Sequence, residues 1–306
     1  MCTLAVAHIK DYGWCSAKNR DRSMKVDIDI KRSMSRGIER CLLIDQNSKW
    51  SEGLNSLGVC ISNVTLMNSK DTKESGKDAH SEEFASPGGK MIRIALFEKT
   101  VDKALKKMID QEMEGFSVIF DKDNAYILEA YNELIDNSDE EAEVGEYKYH
   151  VTKCDKSKIY VRTNHGHHFK EAGYQPDKSD PIKMRSYESS ISRHDTALKS
   201  VKSASLNIPR DLMNAISIAP HDDWMMNPVR KAPTHGKKIY VTTGQVLLVS
   251  SSKTVHYRPF WCNIVCDMNK MSNEKYQTHF EIISSNDLIS TKTESLNGRS
   301  FKEWLN

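Results

Sequence analysis

The chain opens Met1-Cys2-Thr3-Leu4-Ala5-Val6-Ala7-His8 and, after Asp11-Tyr12-Gly13, continues Trp14-Cys15-Ser16-Ala17-Lys18-Asn19-Arg20-Asp21. Leu4–His8 and Trp14–Ala17 have the apolar content of two short strands, and Asp11-Tyr12-Gly13 forms a turn, so the opening predicts a β-hairpin. A small residue behind the initiator favours removal of Met1, which leaves Cys2 at the N-terminus. One residue then carries both a thiol and a free α-amino group. The amine has an intrinsic pKa of about 7.7–8.0, so at neutral pH part of it is uncharged and able to accept the thiol proton. Nucleophile and base share one residue, and no His or Asp partner is required.

The composition sets the frame around that hairpin. The 306 residues, 38% hydrophobic and 28% charged, are enough for one large domain, and a single domain over 1–306 is expected. Lys+Arg 44 against Asp+Glu 42 leaves a formal charge of +2, with both signs spread along the chain. Nucleic-acid binding calls for a clustered basic face, which is absent. No apolar stretch approaches the roughly 18 residues of a membrane span, and the opening lacks the basic and apolar regions of a signal peptide. A soluble, cytoplasmic protein without a nucleic-acid or membrane partner is expected; a homo-oligomer is left open. The seven cysteines are Cys2, Cys15, Cys41, Cys60, Cys154, Cys262 and Cys266. Their odd number and irregular spacing argue against a disulfide framework, and all except Cys2 read as buried structural thiols.

Further along, Cys41–Asp45 and Gly58–Leu66 look like buried strands. Asn68–Lys90 is almost free of apolar residues and reads as a mobile polar loop. Met91–Glu98 is expected to be helical. Val101, Ala104, Leu105, Met108, Ile109 and Met113 fall on one helical face, with Thr100 as N-cap and Gly115 as the stop. Phe116–Phe120 and Ala125–Ala130 follow as a hairpin joined at Asp121–Asn124. The acidic run Asp136–Glu146 reads as a solvated linker. Lys148–Lys153 and Lys158–Arg162 are expected strands, Thr196–Ala204 and Asp211–Ile216 helices, and Lys238–Thr243, Gln245–Val249 and Phe260–Asp267 strands. Strands, paired helices and strands again predict a layered α+β build.

Four segments line up behind Cys2. Lys18-Asn19-Arg20-Asp21 offers a cation to lower a thiol pKa and a carboxylate to hold an α-amine, although such a sequence by itself reads as a solvated turn. Glu52-Gly53-Leu54-Asn55 leads through Gly58 to Asn63, whose amide is a candidate oxyanion donor. Val161-Arg162-Thr163-Asn164 is a strand that stops at a second Asn. Ser189-Ser190-Ile191-Ser192-Arg193 stands just ahead of a helix.

Together these residues resemble the N-terminal nucleophile hydrolases with Cys at position one, in the group of choloylglycine hydrolase, penicillin V acylase and acyl-coenzyme A:6-aminopenicillanic acid acyltransferase. The Met-Cys-Thr start is present intact. The group's Arg-Asn-x-Asp appears as Lys18–Asp21, its Gly-x-Asn-x-x-Gly-Leu as Gly53–Val59, its Thr-Asn as Thr163-Asn164 and its Ser-Ser-x-x-Arg as Ser189–Arg193. The hairpin ending Tyr126-Ile127-Leu128-Glu129 is similar to one that follows the group's central helices. The resemblance implies a four-layer αββα sandwich of two mainly antiparallel sheets. It implies Cys2 as nucleophile and base, Asp21 orienting the α-amine, Asn164 donating to the oxyanion and Arg193 supporting the charged network. Lys18 and Arg20 both remain candidates for the cation beside the thiol, and Asn63 and Thr65 for the oxyanion donor. The chemistry implied is cleavage of a non-peptide N-acyl amide in a small molecule through a Cys2 thioester, with no cofactor and no metal. Capture of the acyl group by a second amine is the alternative, and a non-catalytic binding protein on the same scaffold is another.

Other conspicuous residues point elsewhere. His165, His167 and His168 lack further ligands at metal-site spacing and suit a polar pocket rim. His221-Asp222-Asp223 reads as a loop, Tyr257, Phe260 and Trp261 as core or pocket wall, and Gly88-Gly89-Lys90 lacks the spacing of a phosphate loop.

Overall fold

The computed structural model describes residues 2–22, 27–46, 48–66, 87–134, 145–229, 241–259 and 292–295. The opening hairpin forms as expected from β1 (Cys2–Ile9) and β2 (Gly13–Arg22). Its turn requires glycine at position 13, where φ is +70° and a Cβ would collide with the backbone of Lys122. The next strands are β3 (Ile28–Ser35), β4 (Ile38–Asp45), β5 (Ser51–Asn55) and β6 (Cys60–Val64). Helices α1 (Pro87–Ala95) and α2 (Val101–Asp110) come next, then β7 (Gly115–Phe120), β8 (Ala125–Leu134), β9 (Gly145–Lys153) and β10 (Tyr160–Arg162). The 23-residue α3 (Pro181–Ser203), α4 (Pro209–Ala215), β11 (Val241–Val249), β12 (Thr254–Pro259) and β13 (Lys292–Ser295) complete the described elements.

The strands make two sheets, β10-β1-β2-β11-β12-β13 and β3-β4-β5-β6-β7-β8-β9. Neighbours in both run antiparallel. Between the sheets lies a core that includes Leu4, Val6, Trp14, Leu43, Leu54, Phe116 and Phe120. A second core packs Ala5, Ala7, Cys15 and Ala17 of the first sheet against Val201 of α3 and Leu212 of α4. A third packs Ile61, Ile119 and Leu128 of the second sheet against Ile92 of α1 and Val101 and Met108 of α2. The result is the expected four-layer αββα sandwich. Because both faces of each sheet are covered, central strands such as Leu4–Ile9 read as continuous apolar runs rather than as alternating patterns.

Several local expectations change. Lys18–Asp21 is the interior of β2, fully buried, and not a solvated turn. Ser189–Arg193 lies inside α3, because Asp180 caps the helix far upstream by accepting from the N–H groups of Ile182 and Lys183. Helix α2 keeps its Thr100 cap but ends at Asp110, and Gly115 opens β7 instead of stopping the helix. The two strands expected at 238–249 are one, β11, with an irregularity between Thr242 and Gly244. β3, β5, β12 and β13 are additional. Of the loop expected at 68–90, residues to 86 lie outside the described residues, and Pro87–Lys90 begins α1. Most of the acidic run, the Phe260–Asp267 segment, Cys262 and Cys266 also lie outside them. Cys2, Cys15, Cys41, Cys60 and Cys154 are all buried, and none of them is in a disulfide. Among the described residues no helix is long and apolar enough to cross a membrane.

Candidate active site

The register of the first hairpin organises the site. Cys2 pairs with Arg20, Thr3 with Asn19 and Leu4 with Lys18. Strand alternation sends Cys2, Lys18, Arg20 and Arg22 toward the second sheet, in line with Leu4 and Trp14. It sends Asn19 and Asp21 toward the helices, in line with Cys15 and Ala17. Asn19 accordingly donates to the carbonyls of Ile216 and Pro228 at 2.8 Å each and accepts from Gln245 at 2.7 Å.

On the inter-sheet face, the carboxylate of Glu52 in β5 gathers three donors. Lys18 Nζ lies 3.3 and 3.2 Å from its two oxygens, Arg20 Nη1 donates to Oε1, and Ser62 Oγ donates to Oε2 at 2.7 Å. Gly53 beside it lets β5 lie tight on β4, since a Cβ there would meet the Cys41 carbonyl. Burial opposes the charge on Glu52, but Lys18, Arg20 and the Ser62 bond overcome it and hold the carboxyl below its usual range. Burial likewise draws Lys18 below its ordinary value, with Glu52 opposing. Arg22 donates from Nη1 to Cys2 Sγ at 3.7 Å and to the Asp21 carbonyl at 2.9 Å, and its Nε lies 4.0 Å from Asp45 Oδ2. Burial by itself would raise the Cys2 thiol. Lys18 leads the cations that outweigh it, followed by the terminal ammonium and then Arg22, and the thiol is lowered from 9.0 to about 7. Three other thiols move the opposite way: burial pushes Cys15 and Cys60 well up and Cys154 to about 12.

The helix-facing side holds the backbone of Cys2. Asn164 Oδ1 accepts from Cys2 N at 3.1 Å and from Arg193 Nη2 at 3.0 Å. Arg193 Nη1 donates to the Cys2 carbonyl at 2.7 Å and to Thr3 Oγ1 at 3.3 Å, and lies 4.0 Å from Asp21 Oδ2. Thr242 Oγ1 donates to Asp21 Oδ1 at 2.7 Å. Asn164 is fixed in turn by Ser190 Oγ, which accepts from its N–H at 2.9 Å. Ser190 and Arg193 are three apart on α3 and so share the face that meets the sheet. Asp21, Asn164, Ser190 and Arg193 are all fully buried.

Of the residues singled out in the sequence, Cys2, Lys18, Arg20, Asp21, Asn164 and Arg193 come together at this end of the hairpin. Asn63 does not. It shares a face with Ile61, which packs beneath α1 and α2, whereas Cys60 and Val64 lie in the core with Cys2. Its amide donates to Ser117 Oγ at 2.9 Å and to the Glu114 carbonyl at 3.3 Å, turned away from the thiol. Thr65 stands exposed one residue beyond β6, and its carbonyl accepts from Asn164 Nδ2 at 2.8 Å. The Asn164 amide is thus committed on both sides. Exchanging its O and N would set an N–H against two donors, Cys2 N and Arg193. Sequence reasoning missed Glu52, Arg22, Ser190 and Thr242 as site residues. Arg22 was reachable, since Lys18, Arg20 and Arg22 share one face if the segment is a strand.

The histidines form a separate group. His165 Nδ1 lies 2.9 Å from Ser190 Oγ and 3.1 Å from Thr163 Oγ1. Burial, aided by neighbouring charges, pushes His165 down to about 4 and His167 to about 2, so both are neutral at pH 7. Glu129, at the end of the quoted hairpin, accepts from the backbone N–H groups of His167, His168 and Phe169 and pins that loop. Among the described residues no group of three or more His, Cys, Asp or Glu side chains is arranged to hold a metal ion.

No protein-family model matches the chain, and no curated protein matches it. Solved structures do. The chain is similar to penicillin V acylase from Agrobacterium tumefaciens at 13% identity and TM-score 0.46, over 84% of this chain and 83% of that one. It is also similar to the C2A mutant of conjugated bile acid hydrolase from Clostridium perfringens at 10% identity and TM-score 0.46, over 98% of this chain and 94% of that one.

Proposed function

We propose that the chain is a cysteine N-terminal nucleophile amidohydrolase that cleaves an N-acyl amide in a small molecule through a Cys2 thioester. The observation that carries this reading is that both reactive atoms of Cys2 are held by polar side chains. Its nitrogen is bonded to Asn164, and its sulfur is lowered to about 7 among Lys18 and Arg22. With Met1 removed, that nitrogen is a primary amine. It takes the thiol proton as Sγ attacks the amide carbonyl, and it returns the proton to the leaving nitrogen as the C–N bond breaks. Water, its proton taken by the same amine, then attacks the thioester and regenerates the thiol.

In this mechanism Asn164 holds the α-amine in line, Arg193 fixes Asn164 and the Cys2 carbonyl, and Asp21 supplies the negative charge that Arg193 needs. The positive field of Lys18 favours both the thiolate and the oxyanion that follows it. Asn63 has no part in it, and backbone N–H groups serve as oxyanion donors.

The test is intact mass of the purified protein before and after limited thiol alkylation at neutral pH, with peptide mapping. A panel of N-acyl amides follows, with time courses run with and without added amine. Loss of Met1, preferential labelling of Cys2 and an acyl adduct on the Cys2 peptide are expected. Faster turnover with amine would assign acyl transfer in place of hydrolysis. Retained Met1, or label spread over the other cysteines, overturns the mechanism.

A further inference from the structure

Charged side chains cluster beside Cys2 on the inter-sheet face. Among the described residues, β2 contributes three cations there, Lys18, Arg20 and Arg22, while β4 and β5 contribute two carboxylates, Asp45 and Glu52. Lys18 and Arg20 are both spent on Glu52, which also binds Ser62. Arg22 is placed differently. Its Nε is 4.0 Å from Asp45, and its Nη1 is directed at the Asp21 carbonyl and the Cys2 sulfur. It is the guanidinium with a hydrogen bond to the reacting atom.

We propose that Arg22 is a second catalytic cation, donating to Cys2 Sγ and stabilising the thiolate that forms as the α-amine takes the thiol proton, with the guanidinium steadied by Asp45. The inference rests on the nucleophile reading above and adds to it a residue outside the Lys18–Asp21 segment. A guanidinium suits the place better than an ammonium, because its fixed fork reaches the sulfur and the Asp21 carbonyl together.

The other charged and titratable groups near the sulfur are the terminal ammonium, Lys18 and Arg20 of β2, Glu52 of β5 and Tyr257 of β12, with Asp21 and Arg193 behind the sheet. The experiment therefore changes Arg22 alone. The rate of iodoacetamide alkylation at Cys2, followed by peptide mass, is measured from about pH 5 to 10 in the wild type, Arg22→Met and Arg22→Lys. The wild-type midpoint is expected near 7. Arg22→Met should raise it by about one unit, lowering the rate at pH 7 roughly 5–10-fold, with Arg22→Lys in between. If Arg22→Met does not fold, Arg22→Lys keeps the test open, since a merely structural arginine replaced by lysine leaves the midpoint in place. A wild-type midpoint near 7 that neither variant moves overturns the role of Arg22 and leaves the nucleophile standing. A wild-type Cys2 that titrates like an ordinary thiol overturns both.

Discussion

The two ends of the β1–β2 hairpin are made of the same strands, covered by the same layers, and built on opposite principles. At the turn end His8 pairs with Trp14 and Ile9 with Gly13, and Ile9, Trp14, Cys15 and Ala17 are fully buried. Each large apolar side chain there contributes about 1.5–3 kcal/mol by leaving water. At the open end the equally buried positions hold Lys18, Arg20, Asp21, Asn164 and Arg193. Desolvating each ion costs several kcal/mol, which pairing at best repays. One end of the hairpin is explained by stability. The other is not, and that excess of buried charge around one cysteine is what the proposed chemistry would use.

Substitutions that separate the two ends probe this contrast most directly. Cys2→Ala should lower turnover of any N-acyl amide substrate on the order of 10⁶-fold while leaving the thermal midpoint close to wild type. An Ala variant that keeps its activity would move the chemistry away from this end altogether. Trp14→Ala should do the reverse, costing about 3–5 kcal/mol in urea unfolding through the cavity it leaves. Glu52→Ala should cost a similar amount, because it strands Lys18 and Arg20 without their carboxylate. The decisive variant combines Lys18→Met, Arg20→Met and Glu52→Leu. It should be neutral or more stable by about 1–4 kcal/mol and yet inactive. A large loss of stability in the combined variant would mean that the charged end also supports the fold, and the contrast would dissolve.

The same contrast predicts opposite signs with pH. Folding lowers the Cys2 thiol from 9.0 to about 7, so the folded state binds fewer protons there than the unfolded one across that window. The contribution is fully present above about pH 9 and is lost as pH falls through 7, about 2–3 kcal/mol in all. Folding raises Cys15, so its contribution is present below its ordinary value and is lost as pH rises beyond it. Urea unfolding at pH 7, 8 and 9 should find the gap between wild type and Cys2→Ala widening with pH. The gap between wild type and Cys15→Ala should narrow only above about pH 9. Parallel slopes for the two variants would show that the thiols share one environment.

How much of this was legible in the sequence follows the same division. The hairpin, the α2 face with its Thr100 cap and the β7–β8 hairpin were readable because each rests on local pattern. The site was readable as short words in order, Met1-Cys2-Thr3, Lys18–Asp21, Thr163-Asn164 and Ser189–Arg193. Their setting was not. Lys18-Asn19-Arg20-Asp21 looks solvated because the carboxylate that permits its burial sits 34 residues away in another sheet. Asn63 has a suitable side chain at a suitable spacing, but a strand has two faces, and one residue of register decides which of them meets Cys2. β3 escaped notice because it is a polar edge strand, largely exposed, whose pairing with β4 rests on backbone bonds.

The smallest expected effect tests whether the charged end acts as one unit. Ser62 Oγ donates to Glu52 Oε2 at 2.7 Å, and Glu52 keeps Lys18 and Arg20 when that bond is gone. Ser62→Ala should therefore cost about 1.5–3 kcal/mol, the worth of a hydrogen bond to a charged acceptor. The pH midpoint of Cys2 alkylation should stay within a few tenths of a unit of the wild type, because the cations nearest the sulfur are untouched. If the midpoint instead moves as far as it does on removing a cation, the hydroxyl is positioning Glu52, and through it Lys18, against the thiol. Measuring Ser62→Ala with and without Lys18→Met separates the cases: independent groups give additive shifts, and a shared network gives a shift that vanishes once Lys18 is gone.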